Sequence, residues 1–137
     1  MHISSGLEAL KAAKKVSGNT KLIGVTILTS LNNKSLKEIG YSREVKKIVL
    51  QHAKLANQAK LDAIVCSPKE VNIVKKVFKK EIITPGIRFN SKLNDQKRVL
   101  TPKEAYKNGS DWLVVGRPIT KGNIKINIKK LIDHLRK

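Results

Sequence analysis

Four short apolar runs, set apart by helical patterns, most limit what this chain can fold into. They are Leu22-Ile23-Gly24-Val25-Thr26-Ile27-Leu28, Ala63-Ile64-Val65-Cys66, the weaker Glu81-Ile82-Ile83-Thr84, and Trp112-Leu113-Val114-Val115. Each is continuously apolar rather than alternating, which is how strands of a parallel sheet covered on both faces read. Between them, Val45, Ile48, Val49, Ala53, Ala56 and Ala59 fall close to one helical face, as do Val71, Val74, Val77 and Phe78. A helix over Leu7 to Val16, ended by Gly18, precedes the first run, and Ile126, Ile128, Leu131, Ile132 and Leu135 predict a C-terminal helix. The order αβαβαβαβα implies parallel strands joined by right-handed crossovers. No linker or repeat interrupts it, so residues 1–137 form one α/β domain. Four strands are few for a closed barrel or for a well-covered open sheet.

Two helix starts are marked by the same chemistry. Ser67-Pro68-Lys69-Glu70 and Thr101-Pro102-Lys103-Glu104 each offer a hydroxyl cap, a proline where the amide is not needed, and a glutamate to complete a capping box.

The formal net charge is +19, from 29 basic and 10 acidic residues. That charge raises the question of nucleic acid, whose phosphates call for Lys and Arg. The lysines, however, are spread along the chain rather than forming one stripe. The five aromatic residues, Tyr41, Phe78, Phe89, Tyr106 and Trp112, are too few for a base-stacking platform. A nucleic-acid partner is therefore disfavoured. A single cysteine, Cys66, allows no internal disulfide and suits a cytoplasmic protein. No apolar stretch approaches the ~20 residues of a membrane-spanning helix, and the first residues do not have the pattern of a signal peptide. His2, His52 and His134 show no metal-ligand spacing.

In α/β folds ligands gather at the carboxyl ends of the strands. The residues following each run are Thr29-Ser30, Ser67, Thr84-Pro85-Gly86-Ile87-Arg88 and Gly116-Arg117-Pro118. Gly116-Arg117 is the best phosphate candidate. The glycine lets backbone approach an anion, and the arginine adds charge-assisted hydrogen bonds. Arg88 follows a Pro-Gly turn and suits the same work. Gln96 stands in a polar loop, Asn94-Asp95-Gln96, long enough to act as a lid. Arginine is scarce here, five residues against 24 lysines, so its positions draw attention to places where a planar fork of donors matters. Asp62 and Asp111 precede strands and stand at the opposite end, away from any site.

These blocks together resemble the C-terminal part of orotidine 5'-phosphate decarboxylase. The matching segments are Val25 to Ser30, Leu61 to Ser67, Ile83 to Arg88, Asn94 to Arg98, and Val114 to Thr120, in the family's order. Met1 to Gly6 is similar to the segment leaving the fourth barrel strand. The resemblance implies a partial (β/α)8 TIM barrel, about the last four βα units. It implies that Thr29 and Ser30 line the pyrimidine pocket and that Arg88 serves the nucleotide. It further implies that Gln96 closes over the phosphate, which Gly116 and Arg117 hold. The ligand would be orotidine or uridine 5'-phosphate, and no metal or organic cofactor is needed. Phe89 departs from the family, where proline commonly follows the arginine, which puts the shape of that loop in question.

The family's catalytic motif, Asp-x-Lys-x-x-Asp, does not occur in these residues. The nearest match, Asp95-Gln96-Lys97, continues Arg98-Val99-Leu100 and lies in the phosphate loop. No catalytic residue is therefore assigned, and this carbon-carbon lyase half is expected to be inactive alone. It would be a split-enzyme half or a remnant, paired with a separately encoded N-terminal half or with itself. The alternatives are a non-catalytic nucleotide- or phosphate-binding module and, behind it, a basic nucleic-acid binder.

Overall fold

A computed structural model describes residues 1–89 and 98–136. Each apolar run forms a strand: β1 (Ile23–Val25), β2 (Ala63–Val65), β3 (Glu81–Thr84) and β4 (Trp112–Leu113). They form one parallel sheet in the order β1-β2-β3-β4. Sequential order with parallel pairing is what successive βα units produce, and it is the arrangement of a barrel wall. The helices are α1 (Leu7–Val16), α2 (Asn33–Glu38), α3 (Val45–Gln58), α4 (Val71–Val74), α5 (Pro102–Lys107), α6 (Arg117–Thr120) and α7 (Ile124–Arg136). His2 makes a further parallel bridge to Val25, and the Val25 amide donates to the Met1 carbonyl at 2.8 Å. The start of the chain thus lies along the outer side of β1.

The two faces of the sheet differ. Gly24 pairs with Ile64, and Ile64 with Ile82. This row faces the helices and is fully buried. Leu10, Val49, Ala53, Ala56, Leu61, Val71, Val74 and Phe78 pack over it with no exposed surface except at the rim. A side chain at Gly24 would lie 2.7 Å from Leu61 Cδ1 and 2.8 Å from Ile3 Cδ1, so only glycine lets those two side chains meet across the strand. The next row, Val25–Val65–Ile83–Trp112, faces the other way. Its first three residues are half-buried and Trp112 is 58% exposed. The strands are apolar on both faces, as a covered parallel sheet requires, yet the described residues cover only one of them.

Local signals held unevenly. Thr101 caps α5 with a complete capping box: its hydroxyl accepts the Glu104 amide at 3.3 Å, and the Glu104 carboxylate accepts the Thr101 amide at 2.8 Å. The same pattern at Ser67 does not start a helix. Residues 68–70 form a turn, and α4 begins only at Val71. The reason is that Glu70 turns inward to Arg98, 3.0 Å away, instead of back to the Ser67 amide. The fourth strand is shorter than its apolar run; past Leu113, Val114 keeps one ladder bond, its amide to the Thr84 carbonyl at 2.9 Å. Helix α2 carries no apolar signature, but its Asn32 cap accepts the Ser35 amide at 2.9 Å.

Candidate nucleotide site at the carboxyl edge of the sheet

The two ends of the sheet carry different chemistry. At the amino end stand Asp62 and Asp111, one residue before β2 and β4. Asp62 takes the Leu22 amide at 2.7 Å and the Lys14 ammonium. Asp111 takes the Ile82 amide at 2.7 Å and Lys75 at 2.8 Å. Both carboxylates are occupied in holding strands together. The Lys14 hydrogen bond, with the Leu22 amide second, holds the Asp62 carboxyl below its usual range.

The carboxyl end gathers the residues expected to meet a ligand. Thr29 and Ser30 follow β1, Thr29 buried and Ser30 exposed. Arg88 follows β3 and is half-buried. Its Nη1 donates to the Ile87 carbonyl at 2.8 Å, and its amide donates to the Leu100 carbonyl at 3.1 Å. Gly116 and Arg117 follow β4; both are exposed, and Arg117 opens α6. Nothing lies within 4 Å of a side chain built on Gly116, so the backbone there is open to an approaching group. Arg88 and Arg117 each come four residues after the ends of neighbouring strands, β3 at Thr84 and β4 at Leu113. Thr29 and Ser30 follow β1, two strands from β3, the strand that Arg88 follows. Gln96 lies outside the described residues.

Other reactive side chains have quieter roles. Burial pushes the Cys66 thiol up to about 12, so it is a neutral core group rather than a nucleophile. Burial lowers the His52 pKa, against a backbone hydrogen bond with Thr26 that raises it. The His134 ring stands 5.3 Å from Phe89, tilted by 53°. Phe89 therefore ties the segment after Arg88 to α7. Among the described residues no group of three His, Cys, Asp or Glu could hold a metal ion, and no helix is long and apolar enough to cross a membrane.

Sequence reasoning missed Arg98 and Glu70. Both are buried, at 7% and 2% exposure, and Arg98 Nη2 donates to the Ile27 and Leu28 carbonyls at 3.1 and 2.8 Å. Only the scarcity of arginine hinted at the first. The second was read as a helix-capping residue.

Parallel βα units in sequential order define part of a TIM barrel. The chain belongs to the Orotidine 5'-phosphate decarboxylase / HUMPS family, whose sequence model matches residues 1–125. It is 48% identical over 136 residues to the orotidine 5'-phosphate decarboxylase of Wolbachia sp. subsp. Brugia malayi (strain TRS), covering 96% of this chain and 60% of that one. It is 42% identical over 142 residues to the enzyme of Coxiella burnetii (strain RSA 331 / Henzerling II), again over 60% of the relative. Among solved structures, orotidine 5'-phosphate decarboxylase from Lactobacillus acidophilus superposes with a TM-score of 0.80 at 30% identity, covering 100% of this chain and 62% of that one. The Methanocaldococcus jannaschii enzyme, complexed with inhibitor BMP, shares the fold at a TM-score of 0.73 and 24% identity, over 60% of its chain. The chain thus spans about 60% of the length of the relatives it matches.

Proposed function

We propose that this chain supplies the nucleotide-binding part of an orotidine 5'-phosphate decarboxylase site. Gly116 and Arg117 hold the 5'-phosphate, Arg88 serves the nucleotide beside them, and Ser30, with Thr29, meets the pyrimidine. The observation that supports this most is the shared placement of these residues at one edge of one sheet, the edge opposite Asp62 and Asp111. Open backbone at Gly116 with a fork of donors beside it suits a dianionic phosphate.

In the reaction, the bond between the pyrimidine ring and its carboxylate breaks, carbon dioxide leaves, and the ring carbon takes a proton. By the family's pattern the proton donor is the lysine of Asp-x-Lys-x-x-Asp, which these residues do not contain. It is contributed by further βα units, whose packing also covers the open Val25–Val65–Ile83–Trp112 face. The phosphate grip then acts at a distance: binding energy won at Arg117 is expressed in the transition state at the base.

Calorimetric titration with uridine 5'-phosphate tests the binding half of this proposal. Saturable binding that Arg117→Ala weakens tenfold or more supports it. A folded chain that takes no uridine 5'-phosphate rules out a binding site formed by these residues alone. Co-expression with βα units bearing Asp-x-Lys-x-x-Asp tests the catalytic half, by release of carbon dioxide from orotidine 5'-phosphate.

A further inference from the structure

Arg98, in the segment between β3 and α5, reaches across the carboxyl edge of the sheet and touches the segments that follow β1 and β2. Its Nη2 donates to the carbonyls of Ile27 and Leu28, the two residues just before Thr29. Its Nη1 lies 3.0 Å from Glu70 Oε2, in the turn after β2. Its own carbonyl accepts the Ser67 hydroxyl at 3.2 Å. Two residues on, Leu100 bridges Ile87, and the Leu100 carbonyl accepts the Arg88 amide. One buried side chain therefore connects the ends of β1 and β2 to the segment paired beside Arg88.

We infer that Arg98 is a positioning residue, which sets Thr29 and Ser30 relative to Arg88 and so fixes the base end of the site against the phosphate end. The chemistry requires arginine. Its planar fork can address two carbonyls and a carboxylate at once, whereas a lysine ammonium is a single point charge on a flexible stem. The pair is not explained by stability, since a buried ion pair is often replaceable by apolar side chains with no loss of folding free energy. A chain with 24 lysines and five arginines keeps an arginine where direction matters.

The inference rests on the nucleotide reading, and its test separates the two. The double variant Arg98→Met/Glu70→Met removes both charges and keeps the volume. Its affinities for uridine 5'-phosphate and for ribose 5-phosphate are compared with the parent chain, and amide exchange is followed at Thr29 and Ser30. The expected result is at least tenfold weaker uridine 5'-phosphate binding, ribose 5-phosphate binding within twofold, and at least tenfold faster exchange at Thr29 and Ser30. Equal losses for both ligands, or parental exchange at those two amides, overturn the inference. If the parent chain binds neither ligand, the nucleotide reading fails for these residues and the exchange rates alone decide. Should the double variant not fold, Arg98→Lys keeps the charge opposite Glu70 and is subject to the same expectations, since lysine cannot restore the two carbonyl bonds.

Discussion

Asp62 does between β1 and β2 what Asp111 does between β3 and β4. Each lies one residue before its strand, and each amide donates to the strand alongside at 3.0 Å, to Leu22 or Ile82. Each carboxylate accepts the amide of that same residue at 2.7 Å, and each binds a lysine from a preceding helical segment. The carboxylate thus takes the place of the next ladder partner and closes the amino end of the parallel pair.

Replacing either aspartate by asparagine should cost about 1 kcal/mol, the net value of a typical hydrogen bond, read from urea unfolding. Acid should have a related effect through Asp62. Its folded pKa is depressed, so its contribution is complete above the unfolded value of about 4 and is lost as pH falls through the folded value. Unfolding midpoints taken between pH 6 and pH 2 should fall less steeply for Asp62→Asn than for the parent chain.

His52 gives the opposite end of the acid response. Burial lowers its folded pKa, so below about pH 6.5 the unfolded chain takes up a proton that the folded chain refuses. Stability should therefore decline as pH drops from 7 toward 5, by at most about 1.4 kcal/mol per unit from this group. His52→Asn should flatten that limb of the melting-temperature profile.

Gly24 is fixed by contact rather than by backbone angle. A methyl there would meet Leu61 and Ile3, both fully buried. Gly24→Ala should destabilise by about 1–3 kcal/mol, as overpacking does, and Gly24→Val by more. Pairing Gly24→Ala with Ile3→Val should recover part of the loss in the same urea experiment.

At Arg117 the shape of the cation should matter as well as its charge. Arg117→Lys should restore only part of the uridine 5'-phosphate affinity lost in Arg117→Ala, because a point charge cannot reproduce a two-pronged grip. Full restoration by lysine in a calorimetric titration would reduce the residue's contribution to charge alone.

The sheet was legible in the sequence because its signal is local: continuous apolar runs become strands wherever helical segments separate them. Thr101 and Ser67 show where local signals stop. Their tetrapeptides carry the same capping pattern, but Glu104 returns to its own threonine while Glu70 is drawn to Arg98, 28 residues later. Nothing in residues 67–70 announces that competition. The placement of the described candidate residues was legible for a different reason, since they follow strand ends, and strand ends could be read. Arg98 also lies in a segment leaving a strand, but its partners are the backbone carbonyls of Ile27 and Leu28, which no side-chain pattern reveals.

Trp112 is the chain's one tryptophan, and it sits 58% exposed on the uncovered row of the sheet. That gives the molecule a built-in optical reporter. Indole emission from this single position moves to shorter wavelength when water leaves it, so it reads coverage of this face directly. A titration of the chain with βα units bearing Asp-x-Lys-x-x-Asp, followed by intrinsic fluorescence alone, would report whether they cover this row.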